Sequence, residues 1–181
     1  HPHVGEIDFT SMYPSIMAGE NISPETLDCA CCARRPAVPE LGYSICRRRR
    51  GLIPQSIEPI IRKRAEYKRL RQNPVDQVDA VDQVDQVDLE NRSPLSPLGP
   101  LSPLSPSSFE LFNQRQEALK WLLVCCFGYL GYRNARFGRI EAHEATCAFS
   151  RDKLLTAREV CEARGFELLH SIVDCAWIRK P

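Results

Sequence analysis

The spacing of apolar and polar positions changes several times along the chain, and each change marks an element. Residues 4–16, VGEIDFTSMYPSI, read as a β-strand carried by Val4, Ile7 and Phe9 that ends in a turn at Tyr13-Pro14. Helix-compatible sequence runs briefly from Ser15, and residues 23–54 are irregular. From Pro54 to Arg71, Ile57, Ile60, Ile61 and Leu70 fall on one side of a helix and charged residues on the other. Helix returns over 109–127 and breaks near Gly128 and Gly131, with a turn-rich stretch to Gly138. A long helix over about 140–164 stops at Gly165, placed as the C′ residue of a glycine cap, with Ala145, Ala148, Leu154, Leu155, Val160 and Cys161 as its buried face. Phe166–Ser171 and Cys175–Ile178 read as two strands of a hairpin turning at Val173-Asp174. Strand, helix, insertion, helix, helix and hairpin together predict an α+β fold: an antiparallel sheet backed by helices.

Between the two middle helices the periodicity is of another kind. Residues 75–89 are five triplets beginning Val-Asp, and residues 93–106 repeat Ser-Pro-Leu. A period of three suits neither a strand nor a packed α-helix. The proline tract favours extended polyproline II, and the aspartates repel one another. Such tracts bury too little apolar surface to order themselves, so residues 73–108 are expected to be a disordered insertion. The alternative use for the proline repeats is as a ligand for SH3-like domains.

Charge sharpens this division. From Arg47 to Arg71 there are ten Lys and Arg against Glu58 and Glu66, a local charge of +8. From Pro74 to Ser108 the local charge is −5, so the near-neutral total of +1 conceals a basic body of +6 carrying an acidic insert. A basic body suits a polyanionic partner, although a charge run by itself is more often a solvated face. No apolar run reaches the roughly 18–20 residues of a membrane span, and no signal peptide opens the chain. The first residue is His1, which suggests a piece of a longer protein. The nine cysteines are odd in number and irregularly spaced, which argues for reduced thiols over a disulfide framework. Cys29, Cys31, Cys32 and Cys46 stand apart from the rest. Four such thiols suit tetrahedral structural zinc, with free or buried thiols as the alternative, since there is no second C-x-x-C. Cys125, Cys126, Cys147 and Cys161 lie at apolar helix positions and read as small buried hydrophobes, and His143 and His170 as structural.

Two carboxylates carry the candidate chemistry. Asp8 lies between Ile7 and Phe9, where an acid is costly unless paired, hydrogen-bonded or metal-bound. Asp174 sits at the tip of the hairpin, where a turn-forming role is the plain alternative. The stretch Asp8 to Ile16, DFTSMYPSI, closely resembles the D-x-x-S-L-Y-P-S motif of family B DNA polymerases, with Met for Leu. Ala118 to Tyr132 resembles their second motif, K-x-x-x-N-S-x-Y-G, continuing into Tyr-Leu-Gly. The hairpin at 170–178 falls where their third motif, Y-G-D-T-D-S, belongs. Gly51-Leu52-Ile53-Pro54 with Arg64 and Lys68 look like the start of the family's first fingers helix.

The resemblance implies a palm in residues 1–53 and 133–181, fingers helices in 54–72 and 109–132, and the low-complexity insertion at 73–108 between them. It implies DNA-directed DNA synthesis: a primer 3′-hydroxyl attacks the α-phosphate of a dNTP at a centre of two Mg²⁺ ions, for which Mn²⁺ can substitute. By the same resemblance Asp8 and Asp174 are the catalytic, metal-bridging carboxylates. The backbone amides of Ser11, Met12 and Tyr13 cradle the triphosphate, and Tyr13 stacks under the sugar. Phe127 takes the place of the second motif's tyrosine beside the nucleotide. Arg64, Lys68 and Lys120 clamp the β- and γ-phosphates, for which a solvated helix face is the alternative. The implied partners are primer-template DNA, dNTPs, and exonuclease and thumb domains of the same polymerase outside residues 1–181. A membrane is not among them. The implied location is the cytoplasm, at a prokaryotic nucleoid.

The motifs also depart from the pattern. Ile172 stands where the third motif has its first Asp, Val173 replaces Thr, and Cys175 replaces Ser. Val124 replaces the Asn of the second motif, Cys125 the Ser and Phe127 the Tyr. This resembles a prokaryotic branch of family B with disrupted catalytic motifs. Two functional readings follow: a polymerase with impaired catalysis, or a catalytically inactive DNA-binding homologue with an accessory role in replication or repair. A zinc-stabilised basic module is a third reading, which leaves the YPS and GYLG stretches without a cause.

Overall fold

The computed structural model describes residues 3–72 and 108–180. The insertion expected over 73–108 therefore lies outside the described residues, except for Ser108, which opens a helix. The elements in order are β1 (Val4–Asp8), α1 (Met12–Gly19), α2 (Leu52–Gln72), α3 (Ser108–Leu130), α4 (Ile140–Ala163), β2 (Glu167–Ile172) and β3 (Cys175–Arg179). This is the α+β arrangement that the sequence pattern predicts. The chain divides into two compact units, His1–Ile61 with Leu122–Pro181, and Arg62–Trp121.

In the first unit the sheet is antiparallel with strand order β1–β3–β2. β1 is shorter than the sequence suggests, because the chain leaves the strand after Asp8 and enters α1 at Met12. Tyr13-Pro14 is accordingly the first turn of a helix and not a turn between elements. Proline fits there because the first helical amides have no acceptor within the helix. Ser11, immediately before α1, takes the left-handed conformation at φ 52°.

α4 packs on α1, and its N-terminal part buries Ala142, Ala145, Thr146 and Phe149, spaced three and four apart. Leu155 and Val160, expected on this buried face, are instead exposed. The cause is length. α1 has 8 residues and α4 has 24, which at about 1.5 Å per residue leaves two-thirds of α4 beyond the reach of α1. Gly165 closes α4 at φ +78°, as its position predicts. The core of this unit gathers Met17, Ile22, Leu27, Ile57, Leu123 and Leu130, each at most 2% exposed.

The second unit contains the end of α2 and the start of α3. Phe112 is buried there and stacks with Tyr67 at 5.9 Å between ring centroids. Arg71 donates to the Asn113 side-chain oxygen at 2.8 Å. Among the described residues no helix is long and apolar enough to cross a membrane.

Candidate active site and thiol cluster

Antiparallel pairing brings the two candidate acids to one end of the sheet. Asp8 is opposite Cys175 in the register of β1 and β3, and the Phe9 amide donates to the Asp174 carbonyl at 2.8 Å. Asp8 is exposed and Asp174 half-buried, so neither carries the burial cost that an acid between Ile7 and Phe9 suggests from sequence. Glu6, two residues before Asp8, lies on the same strand face. Burial pushes the Cys175 thiol up, and Glu6, Asp174 and Asp8 push it further the same way. With Asp8 opposite Cys175 and Asp174 next to it in sequence, this end of the sheet is locally negative. Sequence reasoning passed over Glu6, although its period-two spacing from Asp8 was visible.

The turn that carries Asp174 is strained. Ile172 pairs with Cys175, so Val173 and Asp174 are the two turn residues. Val173 has φ 56°, a conformation that a β-branched residue adopts only under constraint. Ile172 is 52% exposed and places a hydrocarbon beside the acidic corner.

Behind the corner, Tyr13 stacks on Phe127 with centroids 4.1 Å apart and planes 9° from parallel. Phe127 stacks in turn on His143 at 4.4 Å. His143, read as structural from sequence, is thus the outer plate of a three-ring stack. Gly131 passes close above it, since a Cβ there would lie 3.1 Å from the His143 Nδ1. Burial raises the Tyr13 pKa above its ordinary value. Cys147 and Asp174 raise it further, and a hydrogen bond with Ser150 opposes them. Ser150 also approaches the Met12 sulfur at 3.4 Å and the Val173 carbonyl at 3.5 Å, joining α1, α4 and the hairpin tip. Ser11, Met12 and Tyr13 together occupy the junction into α1, where helix amides and the helix dipole favour an anion.

Arg64, Lys68 and Lys120 belong to the second unit. Arg64 and Lys68 share a face of α2 by their spacing of four. Arg64 is buried, at 7% exposure, and not on a solvated face. Lys120 is exposed and lies 3.6 Å from Glu117. The Gln116 side-chain amide holds the Glu117 carboxyl below the usual range, with Lys120 and Arg64 acting in the same direction.

The four cysteines converge. An isolated bridge pairs Leu27 with Ile45, and the Cys46 amide donates to the Thr26 carbonyl at 2.8 Å. The Ser44 amide and hydroxyl both donate to the Asp28 carboxylate at 2.9 Å. These bonds fold Cys46 back onto the Cys29–Cys32 turn, and all four sulfurs lie within 4.8 Å of one another. Backbone amides of Arg48 and Arg49 pull the Cys46 thiol down to about 6, while burial pushes Cys29 up to about 12.

The profile of DNA polymerase family B matches residues 2–88. DNA polymerase 2 of Saccharolobus solfataricus is 31% identical across 96% of this chain and 20% of its own length. The DNA polymerase of Archaeoglobus fulgidus is 31% identical across 99% of the chain and 19% of its own. The solved family B DNA polymerase of Pyrobaculum calidifontis superimposes with a TM-score of 0.66 at 26% identity, covering all of this chain and 21% of that one. These matches support a fragment of a family B DNA polymerase. The chain spans about a fifth of the length of these relatives. The stretch Asp8 to Ile16 that resembles the family's first motif spans the end of β1, the turn after it and the first part of α1.

Proposed function

We propose that this chain supplies the nucleotidyl-transfer centre of a DNA-directed DNA polymerase, with Asp8 and Asp174 as the carboxylates that would hold its metal ions. The observation that carries this reading is the approach of the two acids at one end of the sheet, where the Phe9–Asp174 backbone bond holds the end of β1 to the hairpin turn. When bound, two Mg²⁺ ions would activate the primer 3′-hydroxyl and stabilise the departing pyrophosphate. Asp8 and Asp174 would hold them, as hard oxygen donors brought to one end of the sheet. Ser11, Met12 and Tyr13 at the start of α1 would take the triphosphate. The stacked Tyr13 ring, held by Phe127, would set the floor under the sugar. Arg64, Lys68 and Lys120 are assigned the outer phosphates by the family resemblance. Primer-template DNA and dNTPs are the partners, and exonuclease and thumb functions belong to the same polymerase outside residues 1–181.

Ile172, Val124 and Cys125 favour impaired catalysis, because each puts an apolar or thiol group where the family's motifs carry an acid, an amide or a hydroxyl. Losing a single such contact typically costs on the order of 10²–10³ in rate. The exposed Ile172 beside Asp174 is the specific observation that favours the second reading, an inactive DNA-binding homologue with an accessory role. Primer extension with Mg²⁺ or Mn²⁺ by the polymerase containing this chain, set against its Asp8→Ala variant, separates the two. Extension that the variant abolishes supports catalysis. Equal, background-level extension by both, with DNA binding retained, supports the accessory role.

A further inference from the structure

The thiol cluster has a geometry that free cysteines do not require. Sulfur separations are 3.5 Å for Cys29–Cys31, 3.9 Å for Cys31–Cys32, 3.5 Å for Cys31–Cys46 and 3.8 Å for Cys32–Cys46. A zinc ion with Zn–S bonds of about 2.3 Å at the centre of a regular tetrahedron sets sulfurs about 3.8 Å apart. A disulfide would need about 2.05 Å, and all four cysteines are free. The enclosed space holds one ion and not a multinuclear cluster, since every pair of sulfurs is within 4.8 Å. Around the sulfurs, the Arg47 amide points at Cys32, and the Arg48 and Arg49 amides point at Cys46. Such N–H···S contacts orient metal-bound thiolates and stabilise their charge.

The cluster is also wired to the start of α2. Asn21 donates from one side-chain nitrogen to the Cys46 and Arg49 carbonyls, both at 2.9 Å, and its oxygen accepts from the Gly51 amide at 2.8 Å. Glu25 accepts from the Leu52 amide, the first of α2. Gly51 has no room for a side chain, since a Cβ would lie 2.5 Å from the Ser23 Cβ. Residues 46–52 are therefore a short strap with sulfur at one end and the helix start at the other.

We propose that Cys29, Cys31, Cys32 and Cys46 form a closed, four-coordinate structural zinc site that fastens the start of α2 to the turn following α1. The site stands apart from nucleotidyl transfer, so its test does not depend on activity. The polymerase containing this chain, purified without added metal, should carry about one zinc per chain at this site. Cys31→Ser and Cys46→Ser should each lose it, and Cys161→Ser on α4 should retain it. Exchange of zinc for Co²⁺ in the unmutated protein should give the intense visible absorption of tetrahedral thiolate cobalt, a readout that does not require the serine variants to fold. Chelation should speed hydrogen exchange at the Gly51 and Leu52 amides about tenfold or more, and added zinc should restore protection. Four titratable thiols with no bound metal, a mass loss signifying disulfides, iron in place of zinc, zinc persisting in a folded Cys46→Ser variant, or unchanged exchange at Gly51 would each overturn the proposal.

Discussion

The Phe9 amide and the Asp174 carbonyl are joined at 2.8 Å, one residue beyond the Asp8–Cys175 pair. The bond locks the end of β1 to the tip of the β2–β3 hairpin, so a change of residue at either acid alters charge without releasing the backbone that holds it. An exposed acid and a half-buried one at such a corner, with their backbone held independently of the carboxylates, contribute little to folding. Asp8→Ala and Asp174→Ala are therefore expected to leave the thermal midpoint nearly unchanged and to reduce metal-dependent extension by 10²-fold or more. Circular dichroism melts run beside primer-extension rates check both halves. A large loss of stability in either variant would mean that the carboxylates are structural.

Ile172 gives a test in the opposite direction. It is exposed and pairs with Cys175 at the end of β2, so an acid there meets no steric obstacle. Ile172→Asp is expected to raise Mg²⁺-dependent extension, by up to about 10²-fold if the lost carboxylate is the main deficit. No gain would locate the deficit in the second motif, at Val124 and Cys125.

Tyr13 reports on the same corner through its ionisation. Its pKa is raised above 10.0 by burial first, then by Cys147 and Asp174. The folded chain thus keeps the phenol proton after an unfolded chain has lost it. The Tyr13 contribution to stability is complete below pH 10 and disappears as pH rises through the folded-state value. An alkaline ultraviolet titration should show two late-ionising tyrosines, Tyr13 and the Glu144-bonded Tyr43, with only Tyr43 left in Tyr13→Phe. A titration in which Tyr13→Phe removes no late-ionising group would show that the surroundings of Tyr13 do not hold its proton.

The ring stack behind Tyr13 has a stability cost of its own. Phe127→Ala removes both of its stacking contacts and half-buried apolar area, for an expected loss of about 2 kcal/mol. Phe127→Tyr keeps the stack and should cost under about 1 kcal/mol. His143→Ala removes the outer plate alone and should fall between the two. Denaturant midpoints measure all three, and a Phe127→Ala value near zero would show that the rings do not support one another.

Much of the fold was legible because it rests on local rules. Gly165 ends α4 where a left-handed residue is needed, and Val173-Asp174 separates two runs of β-forming residues. Asp8 and Asp174 were legible as a pair only through the motifs around them, since nothing in Ile7-Asp8-Phe9 alone states which strand lies opposite. The boundary at Tyr13-Pro14 was misread because proline marks a turn and a first helical turn equally well. Leu155 and Val160 were misplaced because helical period gives a face and not the length of the neighbour that covers it. The Tyr13–Phe127–His143 stack was not legible at all. It joins three elements whose contact is a property of packing, and His143 carries no sequence partner. The four cysteines could be counted from sequence, but their closure depends on the Leu27–Ile45 bridge, a pairing between two irregular segments.

Asn21 is the residue on which that irregular segment turns, and its role separates into two measurable parts. Its φ of 59° is left-handed, which asparagine tolerates better than residues with a plain Cβ. Its side chain makes three hydrogen bonds to the backbone of residues 46–51. Asn21→Gly relieves the backbone and deletes the bonds, for an expected loss of about 2–3 kcal/mol. Asn21→Ala deletes the same bonds and adds left-handed strain, so it should be less stable than the glycine variant by about 1 kcal/mol or more. Asn21→Asp keeps the acceptor for the Gly51 amide but loses both donations, and its carboxylate would face the Cys46 and Arg49 carbonyls. It should therefore be no better than glycine, despite conserving shape. Urea midpoints for the three variants, measured with and without zinc, check the ranking. An alanine variant as stable as the glycine one would remove the backbone component, and an unaffected aspartate variant would remove the bonds.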